Sequence, residues 1–71
     1  LNLGVLTMNN VELIVENLNF ELTAVGNYPT DKVVHLMRQL AEAVWDLDDD
    51  HYLVEAYHLF AEDFSLAGEF Y

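Results

Sequence analysis

The stretch Val11-Glu12-Leu13-Ile14-Val15-Glu16-Asn17-Leu18-Asn19-Phe20-Glu21-Leu22-Thr23-Ala24-Val25 decides the fold class, because its period sets how the chain opens. Val11, Leu13 and Val15 alternate with Glu12, Ile14 and Glu16, and after Asn17 the apolar phase moves to Leu18, Phe20, Leu22 and Ala24. Alternation of this kind is the period of a strand with one wet face. The phase change beside Glu16, Asn17 and Asn19 reads as a hairpin turn or a bulge. Residues 3–7 add a short strand ahead of the turn signal Asn9-Asn10. The expectation is a small antiparallel β-meander of two or three strands over about residues 3–25.

Downstream the signal changes to helix. Gly26-Asn27-Tyr28-Pro29-Thr30-Asp31 combines chain breakers with a helix start, since Thr30 or Asp31 can accept bonds from the first orphan amides. A first helix is predicted over about 31–47, with Lys32, His35, Gln39, Glu42 and Asp46 as its polar stripe. Asp48-Asp49-Asp50 interrupts the pattern and supplies new caps for a second helix over about 50–66. The sequence therefore reads as an α+β fold, one domain over 1–71, in which the β-meander is followed by two α-helices packed on one face.

A chain of 71 residues has room for one core and buries only about 60% of its unfolded surface. Hydrophobic residues nevertheless make up 54% of it, more than so small a core hides, so a homodimer or a partner-covered face is expected. No cysteine is present to staple the fold, which fits a reducing compartment. No apolar run approaches the roughly 20 residues of a membrane span and no signal-peptide pattern opens the chain, so it reads as cytoplasmic, with no membrane partner.

The charge is distributed unevenly along the chain. Residues 1–38 carry Glu12, Glu16, Glu21 and Asp31 against Lys32 and Arg38, whereas Glu42, Asp46, Asp48, Asp49, Asp50, Glu55, Glu62, Asp63 and Glu69 meet no Lys or Arg in 39–71. A field of this sign repels nucleic acid and anionic lipid and steers basic surfaces toward it. Direct nucleic-acid binding is thereby disfavoured. The nine acids of the C-terminal half are the predicted partner-binding set.

Sites with built-in chemistry are thinly supported. Asp46-x-Asp48-x-Asp50 imitates the start of a calcium loop, but His51 and Tyr57 stand where that loop needs Gly and a bidentate Glu. Glu55-x-x-His58 has di-iron spacing without the companion motif on another helix. Ser65 is the sole serine and lies in no nucleophile elbow, and three glycines form no phosphate loop. No cofactor, metal or catalytic residue is assigned, and the chain is read as a non-enzyme. His35, His51 and His58 suggest a pH or metal sensor as a weaker reading. Trp45, Tyr52, Tyr57, Phe60 and Phe64 are expected in the core, with Phe70 and Tyr71 docking on a partner.

In size, acidity and near absence of Lys and Arg the whole chain resembles the small phage-encoded inhibitors called DNA mimics. These include anti-CRISPR and anti-restriction proteins and inhibitors of uracil-DNA glycosylase. The resemblance is one of composition and implies a host-defence inhibitor acting in the host cytoplasm, with no site carried over residue by residue. On a continuous helix Asp48, Glu55, Glu62 and Glu69 would recur every ~10.5 Å, a row of charge able to occupy a basic nucleic-acid groove. The alternative is a homo-oligomeric structural or adaptor protein whose acids only keep it soluble.

Overall fold

The computed structural model describes the backbone of residues 3–70 and the side chains of residues 10–69. Its regular structure is helical throughout: α1 (Leu3–Ala24), α2 (Asp31–Val44), α3 (Tyr52–Asp63) and the short α4 (Ala67–Phe70). No strand occurs among the described residues, which overturns the α+β expectation. Residues 3–24, read as a β-meander, form one helix of 22 residues.

The physical reason lies in how α1 is wetted. Val11, Leu18 and Glu21 are buried while Ile14, Val15 and Leu22 are half-buried, giving the steps of three and four of one helical face. Yet Leu13 and Phe20, on the opposite side, are 53% and 60% exposed. Apolar residues on both faces erase the 3.6-residue period and leave alternation as the visible pattern. The turn expected at Glu16-Asn17 is mid-helix, and the real break comes later. There the Glu21 carbonyl accepts the amides of Val25 at 3.0 Å and Gly26 at 2.9 Å, with Gly26 at φ +118° in the region that favours glycine.

α2 begins where the sequence placed it. Thr30 is the cap, its hydroxyl oxygen accepting the Val33 amide at 3.2 Å, with Asp31 in the first turn suited to the helix dipole. α2 ends at Val44, ahead of the predicted Leu47, and presents Val33, Leu36, Met37, Leu40 and Val44 to the core. α3 is capped by His51 rather than by the aspartates: the ring Nδ1 accepts the Leu53 amide at 3.1 Å, which needs the neutral ring with its proton on Nε2. It buries Leu53, Val54, Tyr57, Phe60 and Ala61.

α3 stops in a Schellman turn. The Leu66 amide donates to Ala61 at 2.6 Å and the Ser65 amide to Glu62 at 3.1 Å, which puts Ser65 at φ 60°. Leu66 is buried behind this turn. The helices pack in chain order, α1 chiefly on α2, α2 on α3 and α3 on α4, around one cluster that includes Leu18, Met37, Leu40 and Phe64, all essentially without exposure. Between α1 and α2 the buried Glu21 carboxylate pairs with Lys32 Nζ at 3.2 Å, the one ion pair among the described residues. No helix of the described residues is long and apolar enough to cross a membrane.

Candidate acidic interface

The acidic half is built by a turn held between two apolar anchors. After Val44 the last helical turn tightens, Trp45 N–H reaching Glu42 O at 3.5 Å and Leu47 N–H reaching Val44 O at 3.0 Å. Leu47 is half-buried against the core, as Leu53 is fully on the other side. Between them His51 N–H donates to Asp48 O at 2.9 Å, closing a turn that holds Asp48, Asp49 and Asp50 out in water. Burial of the flanking leucines is what fixes this loop. The carboxylates just ahead of α3 also face the positive end of its dipole.

All nine predicted acids are exposed, and they fall into four places. Glu42 and Asp46 flank Trp45 at the end of α2, Asp48, Asp49 and Asp50 form the turn, and Glu55, Glu62 and Asp63 lie on α3. Glu55 and Glu62 share the outer face of α3 near His58, while Asp63 lies about 100° around from Glu62. Glu69 belongs to α4. The row of four acids at seven-residue steps is therefore corrected: Asp48 precedes the cap of α3, the Schellman turn at Ser65 separates Glu69, and Glu55 and Glu62 alone keep helical spacing. None of the nine forms an ion pair among the described residues.

Nor do they gather into a chelating cluster. Among the described residues no three His, Asp or Glu side chains converge on a point where an ion could sit, Asp46, Asp48 and Asp50 and the Glu55–His58 pair included. His51 is used as a helix cap, and His35 and His58 lie exposed on different helices.

The turn and the helices on either side of it enclose a feature that sequence reading missed. A cleft of about 540 Å³ runs between α2 and α3, walled by Val34, Ala41 and Val44 from α2, Val54, Tyr57 and His58 from α3, and Trp45 and Leu47 from the segment between them, with Arg38, Asp49 and Glu69 completing it. A shallower depression continues along Arg38, Ala41, Glu42, Trp45 and Asp46. Trp45, expected in the core, is 83% exposed, and Tyr52 is 60% exposed, whereas Tyr57, Phe60 and Phe64 are buried as expected. The position of Trp45 was recoverable: Asp31, Arg38 and Trp45 recur every seven residues, so the charges ahead of the indole mark its face as wet. Phe70 and Tyr71, expected to dock on a partner, lie outside the described side chains.

Chemically, the arrangement displays carboxylates around an apolar, aromatic-edged cleft. It is suited to holding cationic groups. No protein-family model, curated protein or solved structure matches the chain, so its reading rests on these residues.

Proposed function

We propose that the chain is a binding protein, an acidic inhibitor of the DNA-mimic type that occupies the basic nucleic-acid groove of a target protein and performs no catalysis. The observation that carries this reading is the state of the nine acids from Glu42 to Glu69: all exposed, and none neutralised by an ion pair among the described residues. A surface charged in this way gains little from the protein's own folding and repels itself. It is compensated when a surface of Lys and Arg meets it, and the encounter is accelerated by the same field. Held on helices and a hydrogen-bonded turn, the carboxylates compete with phosphates for such a groove.

The test is charge reversal. Wild-type protein, immobilised and exposed to host extract at low salt, retains a basic nucleic-acid-binding protein that elutes with rising salt and is displaced by its own nucleic acid. A variant with Asp48, Asp49, Asp50 and Glu55 changed to Lys loses that retention. Equal retention by both proteins sinks the reading.

A second reading is favoured by Leu13 and Phe20, which stand exposed seven residues apart on the outer face of α1, in the less charged half of the chain. Pairing of two copies along that face would cover them, giving the homodimer that the apolar content suggests. Tyr57, Phe60 and Phe64 are buried in the core and leave this assembly to the outer face of α1. Sedimentation separates the cases: a dimer that dissociates in the Leu13→Glu, Phe20→Glu variant supports assembly through α1, and a monomer at tens of micromolar removes it.

A further inference from the structure

We infer that the cleft between α2 and α3 is the specificity pocket of the acidic face, and that it takes an arginine side chain from a basic segment of the partner, stacked on Trp45. The inference rests on the reading of the chain as an acidic binder and names the point at which binding is anchored.

Three observations carry it. Trp45 is 83% exposed at the junction of the main cleft and the shallower depression beside it, so its ring face has found no cover within the described chain. An exposed indole at the edge of an apolar cleft offers a partner a large flat face, and tryptophan is among the commonest interface anchors. The carboxylates round the two depressions are Asp49 and Glu69 on one side and Glu42 and Asp46 on the other, against the single guanidinium of Arg38 and the imidazole of His58. The balance is negative, which selects a cation. Finally, the cleft has an apolar wall of Val34, Ala41, Val44 and Val54 and a volume of about 540 Å³, enough for a long side chain and part of its backbone.

Arginine meets all three conditions together. Its methylenes pack on the valines, its planar guanidinium stacks on the indole, and its donors reach the carboxylates on either side. A second copy of this chain is a poorer occupant, because it would bring the same excess of carboxylates to the cleft. Arg38 opposes an incoming cation, and that gives the proposal a signed test of its own.

Trp45 is the chain's only tryptophan, so its emission reports the cleft directly. A short, end-blocked oligoarginine peptide is titrated into the full-length protein, with calorimetry for affinity and tryptophan fluorescence for place. Saturable change in Trp45 emission, at least about tenfold weaker binding by Trp45→Ala and tighter binding by Arg38→Gln are expected. Circular dichroism of each variant checks that the helices persist. Binding seen by calorimetry with unchanged emission, or undiminished in Trp45→Ala, overturns the arginine pocket and leaves the acidic reading standing. Binding of the Asp48, Asp49, Asp50, Glu55 reversal variant as tightly as wild type overturns the acidic reading itself. Absence of binding at low salt overturns both. A blue shift on concentrating the protein alone assigns the cleft to a second copy and also overturns the proposal.

Discussion

Ser65 holds a left-handed backbone, φ 60°, that suits glycine better than serine, because its Cβ crowds the following carbonyl. The Schellman turn imposes that geometry, and Ser65 is exposed with no hydrogen bond from its own hydroxyl among the described residues. Ser65→Gly should therefore stabilise the protein by about 1 kcal/mol, read as a higher urea midpoint with unchanged slope. The Glu21–Lys32 pair behaves differently, since the carboxylate is buried and the ammonium mostly exposed. Lys32→Met leaves a buried charge without its partner and should cost about 1–2 kcal/mol, while Glu21→Leu in the same chain should recover most of that loss. A double variant as unstable as Lys32→Met alone would show that the ion pair is not the reason.

At the scale of the element, α1 is where two periods make opposite demands on the same residues. If 11–25 were strand, Leu18 and Phe20 would face one side and be lost at equal cost. In the helix Leu18 is fully buried and Phe20 is 60% exposed. Leu18→Ala should then cost about 2–5 kcal/mol and Phe20→Ala under about 1 kcal/mol, measured by thermal or urea unfolding. The helices α2 and α3 were legible because each has a cap or breaker at its start and a polar side, and Pro29-Thr30-Asp31 narrowed the cap of α2 to Thr30 or Asp31, of which the structure uses Thr30. α1 was not, because Leu13 and Phe20 lie opposite Val11 and Leu18, while its β-branched residues and asparagines have weak helix propensity. The same limit applied to the site. Exposure of the nine acids followed from a half-chain without any Lys or Arg to bury them with, but the cleft beside Trp45 is a product of how α2 and α3 meet, which no local pattern encodes.

Over the whole molecule, a net charge of −11 on a chain of 71 residues sits almost wholly at the surface, Glu21 being the buried acid among the described residues. Self-repulsion of that kind is screened by salt, whose Debye length falls from ~30 Å at 0.01 M to ~3 Å at 1 M. Melting temperature should rise with sodium chloride, by about 4–8 °C for each kcal/mol of repulsion removed, and a flat dependence would mean that the acids do not sense one another. The order of packing sets which part yields first. Because α1 rests chiefly on α2, it can lift away as a unit while α2 and α3 stay together, so its amides should exchange as one group. What is then released is a segment whose alternation of Val11, Leu13 and Val15, then Leu18, Phe20 and Leu22, is that of a pairing strand. Glu12, Glu16 and Glu21 are the gatekeepers against cross-β stacking between such openings. A chain whose α1 has lifted away therefore carries an uncovered strand-former, so Glu12→Gln, Glu16→Gln should hasten fibril formation under conditions that melt α1, and the helix that hides this segment is also what keeps the protein from aggregating in storage.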